Sequence, residues 1–380
     1  MIIRILTVRE HKTVIFCDIC DGSASRKQLL IDKSIYPDMH ICTGDVIDGE
    51  LVETTSKKGD AVVFLKSVRK IINHHSFSPY RSYEKGMSNE ENININSAMA
   101  NMLNGGTILI IELLKKEILD YIDIYMRAKN ISRVYTPITT PYRGTSMASP
   151  LKADGQYTGP KYIKITHELG LKMSCYLMLK SVYEVGYVCR DRYETKENKN
   201  EFLSVEGVVI SEDKMLLCDL FYKIWEKSTE VSHLLGIETA SDMKDIVIVD
   251  FIKEFGGIPQ KSDYNKAKIL YDKLIETNKH MIINNAPIDS PFVYTDEDKI
   301  PLETKWIYKG KGIGHGYDDE YRIEKIKMAF DKQKNDLDAM GIESELPADF
   351  LNVLAMGGFP TRSFVIGVER LVSDVVGVGD

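Results

Sequence analysis

The sequence predicts an α+β protein built in two parts, a small β-barrel followed by an antiparallel β-sheet with flanking helices. Three observations carry this expectation. Residues 2–72 hold β-branched runs at short intervals, residues 73–106 turn polar and rich in Asn, Ser and Gly, and from Thr107 apolar residues recur at helical spacing ahead of further extended runs. A chain of 380 residues also exceeds what one core usually fills, so the expected parts are a barrel over 1–72, a linker over 73–106 and a larger domain over 107–380.

Composition narrows the class. With 43% hydrophobic and 28% charged residues the chain reads as a soluble globular protein. Its net charge of -7 argues against coating nucleic acid by bulk electrostatics, although a local basic face around Lys66, Arg69 and Lys70 stays open. No window of about eighteen apolar residues occurs, and the opening residues carry charges, so a cytoplasmic location is expected. Of the six cysteines only Cys17 and Cys20 stand at C-x-x-C spacing, with no second pair and inside a strand-like run. Free thiols in a reducing compartment therefore outrank zinc or a redox couple.

In the first part the strands are expected at "IIRILTV", "TVIFCDI", "KQLLID", "DVIDGELVE" and "AVVFLKSVRKII". The turn Asp21-Gly22-Ser23 joins the second to the third as an antiparallel hairpin. This phrase resembles the hairpin of the OB-fold that precedes the catalytic domain in class IIb aminoacyl-tRNA synthetases. Such a barrel commonly binds single-stranded nucleic acid on aromatic and basic side chains. Here the aromatic candidates are Phe16, Tyr36 and Phe64, and Phe16 and Phe64 are expected in the core instead. The pair His74-His75 lacks carboxylate or Cys neighbours at ligand spacing and reads as a solvated turn.

In the second part, Ile111, Leu114, Ile118, Ile122 and Tyr125 mark a helix that breaks into "SRVYTPITTP". Residues 181–210 then form two apolar, β-rich runs around a polar loop, with Arg190 and Glu201-Phe202 at its two mouths. Antiparallel pairing would bring both mouths over one pocket. Near the end, "LAMGGFPTRSFVIGVERL" passes from a strand into a helix with Gly367 and Arg370 at the junction.

Taken in order, these segments resemble motifs 1, 2 and 3 of the class IIb synthetases (lysyl, aspartyl and asparaginyl), with "THELGLK" and Pro360-Thr361 closest to the lysyl pattern. The resemblance implies an ATP-dependent, adenylate-forming ligase that uses Mg2+ and acts as a homodimer with Pro137 at the two-fold interface. It assigns Arg190 and Arg370 as catalytic, with Arg190 on the α-phosphate and Arg370 on the γ-phosphate, where charge must be offset. Glu201, Phe202 and Gly367 complete the ATP site, Phe202 stacking on adenine. Glu168 would receive the α-amino group of the amino acid, with Glu206, His315, Tyr317 and Asp319 also contacting the amino acid. Glu206 with Asp319 or Glu320 would take a side-chain ammonium, which favours lysine or a related diamino acid. Asp318 to Glu320 read equally well as the acidic first turn of a helix. The implied acceptor is a tRNA 3′ end or, given the short barrel, a small amine or protein, and an asparagine-synthetase-like amide ligase and a catalytically silent binding paralogue are the alternatives.

Several positions depart from the family pattern. Arg192 stands where the family has a glutamate, Glu197-Asn198 where it has Arg-His, His167 where it has proline, and Ser363 and Val365 where it has glycines. Gly312 occupies the place of a glutamate that helps hold magnesium, with Lys305, Lys309 and Lys311 nearby and Glu303 as a candidate metal ligand. Two readings stay open: a lysine ammonium neutralises the triphosphate, or ATP chemistry has lapsed.

Overall fold

The computed structural model describes residues 1–22, 27–55, 61–73, 107–144, 148–157, 159–193, 199–211, 213, 215–236, 245–296, 298–339 and 345–376. Ser23, His74, His75, most of the expected linker and the pair Glu197-Asn198 lie outside the described residues. The chain divides into two compact units, Met1–Leu114 and Lys115–Asp380.

The first unit contains β1 (Ile2–Glu10), β2 (Val14–Cys20), β3 (Lys27–Asp32), β4 (Val46–Thr55) and β5 (Ala61–Ile72). These close on one another in the order β1-β2-β3-β5-β4, with β3 and β5 parallel and the other pairs antiparallel. Alternation along each strand puts Ile3, Ile5, Ile15, Cys17, Leu29 and Ile31 inside. It also turns Phe16 and Phe64 to the outer face, where both are only half-buried, so the expectation that they belong to the core fails. Phe16 lies between the inward residues Ile15 and Cys17 and instead meets the His11 ring edge-on at 5.3 Å. The Tyr36 hydroxyl donates to the Lys66 carbonyl at 3.0 Å. Two members of the basic face are paired, Lys66 with Glu50 and Arg69 with Asp48. Cys17 and Cys20 are free, and burial pushes the Cys17 thiol up to about 12, which leaves it unreactive.

Helix α1 (Thr107–Ala128) leads into the second unit, and its buried residues Ile118, Ile122 and Met126 recur four apart. There follow β6 (Ser132–Arg133), β7 (Thr139–Thr140), β8 (Lys152–Gly155), β9 (Gly159–Ile163), α2 (Glu168–Met178), β10 (Val182–Cys189), β11 (Glu201–Val209) and α3 (Leu216–Leu234). The chain continues through β12 (Val247–Asp250), α4 (Phe251–Phe255), α5 (Tyr264–Thr277), β13 (His280–Pro287), β14 (Leu302–Tyr308) and β15 (Lys311–Asp318). It ends with α6 (Ile323–Ala339), α7 (Ala348–Ala355), β16 (Arg362–Gly367) and α8 (Val368–Val376).

Eight strands form one sheet in the order β12-β13-β14-β15-β16-β11-β10-β6, antiparallel from β13 to β10 and parallel only at its two outer pairs. A second, three-stranded sheet runs β7-β9-β8. Helices cover the large sheet through apolar stripes. Leu171 and Cys175 of α2 lie on Val182 and Val208, and Phe221 of α3 meets the fully buried Trp306 of β14, with ring centroids 6.0 Å apart. At Gly207 on β11 a Cβ would overlap the Phe364 ring of β16, so glycine alone lets that ring lie against the strand. Asp318 is the last residue of β15 and α6 begins at Ile323, so the acidic run does not form the first turn of a helix. Among the described residues no helix is long and apolar enough to cross a membrane.

Candidate active site

The polar loop leaves and re-enters the sheet between β10 and β11, whose register sets Cys189 opposite Glu201 and Val188 opposite Phe202. The Arg190 amide donates to the Asn200 carbonyl at 2.7 Å, carrying the pairing one step beyond the strands. Both mouths of the loop are thereby fixed together. The Arg190 guanidinium carbon stands 5.1 Å from the Phe202 ring centroid and that of Arg192 stands at 5.6 Å. Arg192 is oriented by two bonds from its guanidinium to the Lys199 carbonyl, at 3.1 and 2.7 Å. Glu201 is exposed and is not among the residues that line the cavity below.

Strand β16 delivers the third arginine, because α8 starts directly after Gly367. Glu369 in its first turn accepts the Leu203 amide at 2.7 Å and so pins the helix to β11, while Arg370 donates to the Gly312 carbonyl at 2.5 Å. Between these groups lies a cavity of about 380 Å³, walled by Arg190, Arg192, Phe202, Lys305, Gly367 and Arg370. A Cβ at Gly367 would meet Ile313 and Arg370 only at 3.7 and 3.8 Å, so packing does not demand glycine there and its missing side chain widens the cavity. Burial lowers the Arg190 pKa, Arg192 and Arg370 push it the same way, and Glu206 opposes them. Arg192 is lowered by burial and by Arg370. Guanidinium groups stay charged regardless, so these shifts register positive charge crowded in a partly dry place, a setting for an anion.

A second cavity of about 320 Å³ adjoins the first and shares Arg190, Ile288, His315 and Val365 with it. Thr166, Glu168, Glu206, Tyr317 and Phe364 line it. Glu206, only 4% exposed, accepts from the Thr166 hydroxyl at 2.5 Å, the His167 amide at 2.9 Å and the Ser204 hydroxyl at 3.0 Å. These donors are neutral and hold the carboxylate in place without cancelling its charge. His167 itself is buried, its ring 3.2 Å from the Gly186 carbonyl.

Asp319 is not brought to this cavity. Lys172, one turn after Glu168 on α2, reaches under Tyr317 and pairs with Glu168 at 2.6 Å and with Asp319 at 2.9 Å. Asp319 also accepts from Thr361 at 2.7 Å and Ser363 at 2.9 Å, and it is 1% exposed. The place expected for an incoming ammonium is thus filled by an internal one. Burial disfavours the charged ammonium, but Asp319 and Glu168 outweigh it and raise the Lys172 pKa well above its ordinary value. Burial lifts the Asp319 carboxyl above its ordinary value, with Lys172 pulling against it. Glu320 is likewise committed, to Arg322 at 2.5 Å, and is 3% exposed. Glu168 remains in the cavity wall, with one carboxylate oxygen accepting from both Lys172 and the Tyr317 hydroxyl. The sequence carried a signal for Lys172 in its four-residue step from Glu168, the spacing of a helical ion pair.

A further cluster escaped the sequence. Glu184 on β10 accepts from Lys164 at 2.7 Å and from the Thr136 amide and hydroxyl at 2.9 and 2.6 Å. Burial raises its pKa, but His167, Lys164 and Thr136 more than reverse this and bring it to about 2.

The carboxylate expected to take a divalent cation is already engaged. Glu303 on β14 is 4% exposed, one oxygen 3.1 Å from the Lys305 ammonium and the other 3.1 Å from His315 Nδ1. Gly312 offers no carboxylate, and Asp319 is held elsewhere. Magnesium requires oxygen ligands at about 2.0–2.1 Å in near-octahedral order. Among the described residues no group of three or more His, Cys, Asp or Glu could hold a metal ion.

Comparison with known proteins places the chain in a family. The family model for class II tRNA synthetases (D, K and N) matches residues 91–379. A lysine–tRNA ligase of Aster yellows witches'-broom phytoplasma is 23% identical over 90% of this chain and 76% of its own. Lysine–tRNA ligase 2 of Methanosarcina acetivorans is 23% identical over 99% of this chain and 81% of its own. The lysylphosphatidylglycerol biosynthesis bifunctional protein LysX of Gordonia bronchialis is 21% identical over 98% of this chain, which spans 37% of that relative's length.

Proposed function

Because the chain belongs to the class II tRNA synthetases of the D, K and N group, we propose that it joins ATP to a lysine-like amino acid as an aminoacyl-adenylate and passes the aminoacyl group to tRNA. The observation that carries this reading is the position of Arg190 in the wall common to two cavities, one rich in guanidinium groups and one lined by carboxylates. In the reaction an oxygen of the amino-acid carboxylate attacks the α-phosphorus, and the bond from that phosphorus to the pyrophosphate oxygen breaks. Arg190 offsets the charge that builds on the α-phosphate, and Arg370 holds the far end of the leaving pyrophosphate. Phe202 takes the adenine in place of the Arg192 guanidinium that covers its ring. Glu168 orients the α-ammonium, and Glu206, whose partners are neutral donors, reads the cationic side chain. His315 and Tyr317 close the wall between substrates. Lysine is favoured by Glu206 and by relatives that are lysine–tRNA ligases. No step is assigned to magnesium, which the family uses in general.

The closed barrel is read as an OB-type domain over 1–72 that contacts the tRNA, joined by the linker 73–106 to a catalytic domain over 107–380. The reading includes a cytoplasmic homodimer through α1 and the strand around Pro137, supported by the exposure of Tyr135 and Ile138 on either side of that proline. The deciding experiment is ATP–pyrophosphate exchange across all amino acids and diamino analogues. Exchange with lysine or a close analogue is expected, and exchange with none at high enzyme concentration overturns the reading. That second result would favour a silent sensor of nucleotide or amino acid, for which the occupied Glu303 carboxylate already speaks.

A further inference from the structure

The floor of the guanidinium-lined cavity carries an ion pair on β14, Glu303 with Lys305, beside His315 of β15. On β14 and β15 the register sets Lys305 opposite His315 and Glu303 opposite Tyr317. Glu303 is almost wholly buried, while the Lys305 side chain keeps 32% of its surface and enters the cavity wall that holds Arg190, Gly367 and Arg370. The side chain is fixed on two sides, by Glu303 at 3.1 Å and by the Tyr271 ring, whose centroid is 5.6 Å from the ammonium. Gly312, on the facing strand, leaves the space through which the Lys305 stem passes: a Cβ there would lie 4.0 Å from Lys305 Cε.

We propose that the Lys305 ammonium, held by Glu303, is a built-in counter-cation for the triphosphate, so that this site binds its nucleotide without a divalent metal. The inference rests on the nucleotide reading of the cavity. An ammonium is a compact point charge with three donors and can meet phosphate oxygens from several directions. A dication at Glu303 would have to displace both Lys305 and His315 from its oxygens and would then stand beside a displaced ammonium, a repulsion that strengthens as water is excluded. Burial works against the charged form of Lys305, but Glu303 and Tyr271 together outweigh it and raise its pKa, so the ammonium persists across the neutral range. With Arg190, Arg192 and Arg370 it makes cations outnumber the two carboxylates, Glu303 and Glu369, that line the same cavity.

The test is calorimetric titration of the full chain with ATP, in excess magnesium and again in excess EDTA. Wild-type protein is expected to bind ATP with affinities within about threefold of each other in the two conditions, since no bound metal is lost. Lys305→Ala should bind about tenfold more weakly in EDTA, the scale of one charge-assisted contact, and recover part of the loss in magnesium because Glu303 is released. Lys305→Arg should keep binding in EDTA. Wild-type affinity that falls tenfold or more on chelation overturns the proposal and leaves the adenylation reading intact. Lys305→Ala binding ATP as wild type does in EDTA overturns it too. Metal-independent binding without pyrophosphate exchange upholds it and removes the adenylation reading, and no ATP binding in either condition removes both.

Discussion

Two charged clusters sit in the same domain and are built on opposite rules. Around Lys172, charges of opposite sign meet at 2.6 and 2.9 Å, with Lys172 and Asp319 fully buried, Glu168 at the cavity wall, and the Thr361 and Ser363 hydroxyls on the other Asp319 oxygen. Around Phe202, like charges gather: Arg370 disfavours the charge of Arg190 and Arg192, and Arg192 that of Arg190, in a cavity large enough for a ligand. In the first cluster Lys172 and Asp319 belong to the framework, and Glu168 links them to the cavity wall. The second gathers three guanidinium groups around an open cavity with room for an anion, which marks it as a binding place.

The sharpest way to break this contrast is Lys172→Met. It leaves Glu168 and Asp319 buried without their cation and should destabilise the protein by roughly 3–5 kcal/mol, read as a lower urea midpoint at unchanged slope. A loss below about 1 kcal/mol, the scale of a surface pair, would place Lys172 outside the framework. The Glu184 cluster tests the same rule through pH. Its carboxyl has a folded value near 2 against an ordinary 4.5, so its contribution is fully present above about 4.5 and is lost as pH falls toward 2. At pH 6 Glu184→Gln should cost about 3 kcal/mol, and the gap from wild type should narrow steadily below pH 4.5. A gap independent of pH would mean that the ionised form is not what the cluster stabilises.

The open cluster should answer in the other direction. Arg190→Ala is expected to move the urea midpoint little, since it removes attraction to Glu206 together with repulsion from Arg192 and Arg370, yet to lower pyrophosphate exchange about a hundredfold. Phe202→Ala should chiefly weaken ATP binding, because adenine does not react. Equal effects of the two variants on turnover and on affinity would erase the distinction between reacting and anchoring contacts. The mildest expectation concerns Glu206→Gln, which should weaken a cationic amino acid by roughly 1.5–3 kcal/mol and a neutral one less. Equal losses, measured by exchange at varied amino-acid concentration, would take selectivity away from Glu206.

Much of this arrangement was legible along the chain because it is local. Strand alternation located β1 to β5, and a loop with Arg190 at one mouth and Phe202 at the other already implied a hairpin over a pocket. What the chain hid depends on strands remote in sequence. Asp319 looked like a substrate ligand until Lys172, Thr361 and Ser363, which come from α2, β16 and the residue just before it, were seen to enclose it. Glu303 looked like a metal ligand, but Lys305 two residues along the same strand holds one oxygen and His315 of the neighbouring strand the other. Phe16 shows the same limit on a smaller scale, since hydrophobicity suggested the interior and a period of two decided the face. An acidic residue can be read from sequence; whether its charge is already spoken for cannot.

The pairing of β11 with β16 sets an order of events during synthesis. Ser204 to Val209 lie against Gly367 to Arg362, in the middle of the large sheet. A ribosome adding about 5–20 residues per second needs on the order of ten to thirty seconds to make the roughly 160 residues between them. Throughout that interval the hairpin bearing Arg190 and Phe202 exists with one flank unpaired, and Gly207 has no Phe364 ring to cover it. The hairpin is therefore among the earlier parts of the pocket to emerge and its cover among the last, which makes the nascent domain most vulnerable to strand addition by a neighbouring chain on the edge that later becomes its centre.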